Sequence, residues 1–147
     1  MQNYPHHYRV SAAGSNEGAV RISSPQLPSL DTTPPPEYGG DSGYWSPETL
    51  LVAAVADCFI LSFRAVAQIS GLEWNDVNCD VEGTLERIDR VTRFTRFEVS
   101  ARLQITDPDS RAKAVRCLEK AEHTCLIIRS LTAETTLHCQ IEINESA

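Results

Sequence analysis

The sequence predicts an α+β fold, and three observations carry that reading. Two short apolar runs flank a glycine-bounded turn near the N-terminus. A long apolar run then follows a strong helix start, and the rest of the chain holds alternating apolar stretches broken by a second helix start. The resulting order is β-β-loop-α-β-β-α-β in a single domain over residues 1–147.

Residues 8–13 and 19–23 read as the first two strands, joined by the turn Gly14-Ser15-Asn16-Glu17-Gly18. Residues 24–45 read as a loop containing Pro34-Pro35-Pro36 and Gly39-Gly40, a length uncommon in a compact domain unless the loop forms a site or moves. Ser46-Pro47-Glu48 starts a helix. Ser46 suits the cap, Pro47 has the φ of a first helical residue, and Glu48 complements the positive end of the helix dipole. That helix should run to about Ser70 and stop at Gly71. From residue 50 to 67 it is apolar on nearly every side, which implies burial all round and, for so short a chain, a homodimer.

Two strands follow. Val77, Cys79, Val81 and Leu85 alternate onto one face of the first, and Phe97, Val99, Ala101, Leu103 and Ile105 onto one face of the second. Asp107-Pro108 opens a second helix as cap and first residue, with Ala112, Val115 and Leu118 inward and an end near His123. A last strand places Thr135, Leu137, Cys139, Ile141 and Ile143 on one face.

Composition narrows the function. A net charge of −7 gives no positive field for nucleic acid. The N-terminus lacks the basic start and apolar run of a signal peptide, and Asp57 and Arg64 interrupt the one long apolar stretch, so no membrane role is expected. Five cysteines, an odd number at irregular spacing, point to a reducing cytoplasm, where a functional disulfide is transient. His123, Cys125, His138 and Cys139 do not make a zinc site. No CxxC pair accompanies them, and His138 and Cys139 point to opposite faces of a strand. No cofactor is expected. A cysteine–histidine hydrolase is chemically conceivable, but nothing near Cys58 in the sequence orients a histidine. Arg87, Arg90, Arg93 and Arg96 gather around a hairpin turn and read as a solvated face matched by Glu82, Glu86 and Asp89. Tyr38, Tyr44 and Trp45 suit either ordinary packing or an apolar entrance to a site.

Cysteine position separates candidates from filler. Cys79 and Cys139 fall in strand registers where a free thiol acts as a small hydrophobe, while Cys117 lies in the second helix with its direction open. Cys58 sits inside the long helix, too far from its start to gain from the dipole, so position alone allows a core residue as readily as a nucleophile. Cys125 sits where the second helix ends, a place from which a thiol could move to meet another.

The pattern Pro-Glu-x-Leu-Leu-x-Ala-Ala-x-Ala-x-Cys from Pro47 to Cys58, followed by Ala-Glu-x-x-Cys ending at Cys125, resembles the OsmC/Ohr family. The resemblance implies an intertwined homodimer with its sites at the subunit interface, and thiol peroxidase chemistry on a small hydroperoxide. It assigns attack to Cys58, resolution to Cys125, and reduction of the disulfide to an external dithiol, often a lipoylated protein. It also implies an arginine in the first hairpin that pairs with Glu48 and steadies the thiolate. Here the turn has none, so Arg21 is the nearest candidate and Arg9 the next. Two further departures stand beside the cysteines: Asp57 replaces a small residue, and Leu126 follows Cys125 where the family usually has proline. The other function class compatible with these features is a small-molecule-binding module that keeps the fold without efficient peroxidase activity.

Overall fold

The structure is a computed structural model that describes residues 1–145. The chain divides into two compact units, Met1–Leu51 and Val52–Ala147.

The first unit holds a three-stranded antiparallel sheet of β1 (Ser11–Ala13), β2 (Val20–Ser23) and β3 (Leu30–Thr32), in that order. The expected hairpin is present, but its first strand starts later than residue 8. The expected loop is corrected more substantially, because β3 lies inside it. Three residues are too few to show alternation in a sequence; β3 is defined by backbone pairing to β2, with Arg21 opposite Asp31. Beyond it, a 3₁₀ turn at Pro36–Tyr38 ends at Gly39 with φ of 84°. The Thr33 N–H donates to the Trp45 carbonyl at 3.1 Å, closing the loop on itself. Gly40 is required there, since a Cβ would lie 1.7 Å from the Pro34 carbonyl oxygen.

Helix α1 (Pro47–Ser70) crosses the boundary between the units. Ser46 is buried and caps it reciprocally. Its Oγ accepts from the Thr49 N–H at 3.1 Å, and its own N–H donates to Thr49 Oγ1 at 2.9 Å. At the other end the Leu72 N–H reaches the Ala67 carbonyl and the Gly71 N–H the Gln68 carbonyl, with Gly71 at φ 68°. This Schellman closure is why Gly71 stops the helix.

In the second unit, β4 (Asp76–Ile88) and β5 (Val91–Ile105) form a long antiparallel hairpin, and β6 (Glu134–Ile143) lies parallel to β5. The hairpin tip, Asp89-Arg90, has both residues at positive φ (50° and 69°), the two-residue turn that matches strand twist. A register shift at Thr84/Leu85 puts Phe94 opposite Leu85 while Phe97 faces Gly83, so Phe94 and Phe97 stack with centroids 5.3 Å apart. Parallel pairing requires a crossover between β5 and β6. It comprises a 3₁₀ turn at Pro108–Ser110, α2 (Arg111–Thr124) and the single turn α3 (Leu126–Arg129). Asp107 does cap, accepting from the Asp109 N–H at 2.9 Å, but it caps the 3₁₀ turn and not α2.

The core joins Val55, Phe59, Phe63 and Val66 of α1 with Phe97, Val99, Leu103 and Ile105 of β5 and Leu118 of α2. The predicted faces of β5 hold throughout. On α2 the inward stripe is Ala114, Cys117, Leu118 and Ala121; Ala112 is exposed and Val115 half-buried. Small residues allow α2 to seat closely; the expected steps of three drift off a stripe of period 3.6, and only Leu118 lies on both. Within one chain it buries one stripe, while Asp57, Leu61, Arg64, Gln68 and Ile69 remain exposed. By length and composition α1 could cross a membrane, a test that the core helix of a folded unit also passes.

Candidate active site

The thiols of Cys58 and Cys125 are brought together by two different devices. Cys58 projects from α1 one residue before Phe59, which is fully buried, so the core fixes the helix phase and leaves the thiol half-buried. Ser62, one turn further along, places its Oγ 3.8 Å from the Cys58 sulfur. Cys125 is fully buried and sits between α2 and α3 in an extended conformation, φ −63° and ψ 110°. That single extended residue breaks the helix and turns the first N–H groups of α3 toward the two sulfurs. Such N–H groups have no partner within their own helix.

The electrostatics divide the pair. Burial alone would push the Cys58 thiol up. It is outweighed by hydrogen bonds from the Ile127 N–H, the Cys125 thiol, the Ser62 hydroxyl and the Leu126 N–H, and Cys58 is held below the ordinary thiol range. Cys125 goes the other way, pushed up to about 11 by burial and by facing Cys58, against donors at Ile128 and Ile127. One sulfur is therefore the better thiolate and the other the better hydrogen donor. The arrangement suits a nucleophile with a protonated second thiol in contact.

The other cysteines differ from this pair. Cys79 is pushed up to about 12 by burial, by Asp80 and by Cys125. Cys117 is buried on the inner face of α2. Cys139 was expected to be strand filler. It is exposed instead, and opens with Glu119, Glu122 and His123 onto a groove of about 530 Å³ that neither Cys58 nor Cys125 lines. Among the described residues, no group of three or more His, Cys, Asp or Glu side chains could hold a metal ion.

Glu48 lies in the first turn of α1, and its Oε1 is buried with no hydrogen-bond partner among the described residues. Ten residues separate it from Cys58, about 15 Å along the helix. Arg21 pairs with Asp31 across β2 and β3 in a two-pronged contact at 2.8 and 3.2 Å. That ion pair is exposed, and each partner stabilises the other's charged form, chiefly through the hydrogen bond. Sequence reasoning missed Ser62 and the N–H groups of Leu126 and Ile127. The spacing of four between Cys58 and Ser62 was a readable signal; backbone donors leave none.

A family model described as OsmC-like protein matches residues 39–140. Protein YmaD of Bacillus subtilis (strain 168), described as uncharacterized, is 26% identical over 145 residues, covering 94% of this chain and 95% of YmaD. An organic hydroperoxide resistance protein OsmC from Legionella pneumophila superposes with a TM-score of 0.75 at 22% identity, over 96% of this chain and all of that one. An OsmC-like protein of unknown function from Vibrio cholerae reaches 0.82 at 14% identity, over 92% and 99%. The organic hydroperoxide resistance protein OhrB of Bacillus subtilis reaches 0.68 at 19%, over 93% and 98%. At these identities the structural likeness bears on the fold alone.

Proposed function

The chain belongs to the OsmC-like protein family, and from that premise we propose that it is a thiol-dependent peroxidase acting on organic hydroperoxides or hydrogen peroxide. What carries the reading is the contact between a Cys58 thiol held low and a Cys125 thiol held high. The Cys58 thiolate attacks the terminal peroxide oxygen and the O–O bond breaks. The leaving oxygen departs with a proton as alcohol or water, and Cys58 becomes a sulfenic acid. The Cys125 thiol then attacks the Cys58 sulfur, releasing water and forming a disulfide. An external dithiol, such as a lipoylated protein in a reducing cytoplasm, restores both thiols by exchange.

A homodimer completes the proposal. The exposed Leu61 and Ile69 of α1 support it, and so does the orphaned Glu48 oxygen, which needs a donor. Glu48 is too far along the helix to contact Cys58 of its own chain, so its service to a site runs across the dimer. Arg21, the first-hairpin candidate for its cation, would have to exchange Asp31 for Glu48.

Titration of reduced protein with one equivalent of cumene hydroperoxide tests the chemistry. Two thiols per chain should disappear, and non-reducing peptide maps should show Cys58 joined to Cys125. Retention of all five thiols would instead favour a binding module. Mixed dimers of Cys58→Ser and Glu48→Gln chains test the trans role. Recovery of activity above either parent is expected, and its absence would return Glu48 to its own chain.

A further inference from the structure

Helix α2 sorts its charges onto two flanks. Its inward stripe of Ala114, Cys117, Leu118 and Ala121 packs in the core. On one side Glu119 and Glu122 open onto the groove beside β6, together with Cys139. On the other side Lys113, Arg116 and Lys120 follow one another in steps of three and four, which sets them on one face. Arg116 and Lys120 are exposed and Lys113 is half-buried, and none of the three has an ion-pair partner among the described residues. Like charges at those spacings repel and weaken a helix, so folding alone does not favour the arrangement.

The basic flank leads to the reactive pair. It starts beside Gly71 at the end of α1, where the Lys113 Nζ lies 3.9 Å from the position a Cβ would take. Lys120 is five residues before Cys125, about 7.5 Å along the axis. Arg129, at the end of α3, donates through Nη1 to the His123 carbonyl at 3.2 Å, which folds its charge back over the last turn of α2. Residues 111–129 thus hold five of the thirteen lysines and arginines and only two of the twenty acidic residues, in a chain of net charge −7. A local positive field on an otherwise acidic surface attracts and orients an anionic partner, which the rest of the molecule repels.

The partner that must reach this place is the reductant. Cys125 is fully buried while Cys58 is half-buried, so an external thiolate attacks the Cys58 sulfur of the disulfide. A mixed disulfide forms there, and Cys125 leaves and takes up a proton. The carrier's second thiol then attacks the carrier sulfur of the mixed disulfide, which closes a disulfide on the carrier and releases the Cys58 thiolate. We propose that the basic flank of α2 docks an acidic protein that carries this dithiol. The inference rests on the disulfide exchange of the proposed function, and adds where the reductant binds and what charge it bears.

Two synthetic peptides carrying dihydrolipoyl-lysine, one flanked by glutamates and one by glutamines, serve as probes. Stopped-flow reduction of the Cys58–Cys125 disulfide by each gives a ratio of rates, acidic over neutral. Forming the disulfide with diamide keeps this reading separate from the peroxide step. For the wild type the ratio should be roughly tenfold at low ionic strength, and should fall to near one in about 1 M salt, where charges are screened within about 3 Å. The double variant Arg116→Glu, Lys120→Glu should invert the preference. Arg87→Glu, on the β4–β5 hairpin and eight strand residues (about 26 Å) beyond Cys79, is the control for net charge and should keep most of it. Far-UV circular dichroism checks folding; should the double variant not fold, Arg116→Gln and Lys120→Gln take its place, with a reduced ratio expected. A wild type that treats both peptides alike, or a preference that survives the double variant or falls equally in Arg87→Glu, overturns the docking flank and leaves the thiol chemistry standing. If sedimentation equilibrium shows instead that the double variant weakens self-association, the flank is a contact with a second copy and the docking falls.

Discussion

Leu126 occupies the position where the sequence resemblance leads one to expect proline, and the difference is one hydrogen atom on the backbone. The Leu126 N–H is among the donors holding the Cys58 thiol low, and proline would have none. The Leu126 side chain is exposed, and a first helical position accepts proline, so Leu126→Pro removes a donor with little other disturbance. We expect the Cys58 thiol to move up and its alkylation rate at pH 7 to fall roughly threefold or more, since bonds to charged groups are the stronger ones. Ser62→Ala should act in the same direction through the hydroxyl 3.8 Å away. Rates measured against pH for wild type and both variants check this, and unchanged profiles would show that these donors do not set the thiolate. The cysteines themselves were legible in sequence as motif members, but their electrostatic division was not. It depends on the extended backbone at Cys125, which no residue type announces.

Elements were legible where local chemistry and long-range packing agree. Helix α1 runs from Pro47 to Ser70 because Ser46, Pro47 and Gly71 mark its ends independently of anything distant. Gly71→Ala therefore tests a local rule. At φ 68° an alanine should destabilise the fold by about 1–2 kcal/mol, read as a lower midpoint in urea. Strand β3 and the parallel pairing of β6 were not legible, because both are defined by a partner strand and not by their own pattern. Gly83 illustrates the same limit. It reads as a weak point in β4, yet a Cβ there would lie 2.9–3.0 Å from Val52, Phe94 and Phe97 side chains. Gly83→Ala should cost about 1–3 kcal/mol by overpacking, against the usual advantage of alanine over glycine in a strand.

At the scale of the molecule, the raised thiols make stability depend on alkaline pH. Cys79 and Cys125, pushed to about 12 and about 11, stay protonated in the folded chain above pH 9, where the unfolded chain releases their protons. Groups raised in this way contribute full stability below the unfolded value and lose it as pH rises through the folded value. Urea midpoints should therefore fall progressively from pH 9 toward pH 11–12, and Cys79→Ala should flatten part of that fall. A flat profile for the wild type would contradict the burial of both thiols.

The crossover between β5 and β6 bears on the order of events in folding. Helix α1 and the β4–β5 hairpin close over short stretches of chain, whereas β6 must wait for the whole connection through α2 and α3 before it can pair. Non-local parallel pairing is slow to form. Cys125 rides on that connection, and so do the Leu126 and Ile127 N–H groups that hold the Cys58 thiol low. A nascent or refolding chain therefore passes through a period in which Cys58 has neither its second thiol nor most of the donors that make it a good nucleophile, so the reactive sulfur and the one that protects it are assembled in the same step. During refolding the alkylation rate of Cys58 at pH 7 should stay at that of an ordinary thiol and rise only as β6 docks; a rate already high before docking would contradict this.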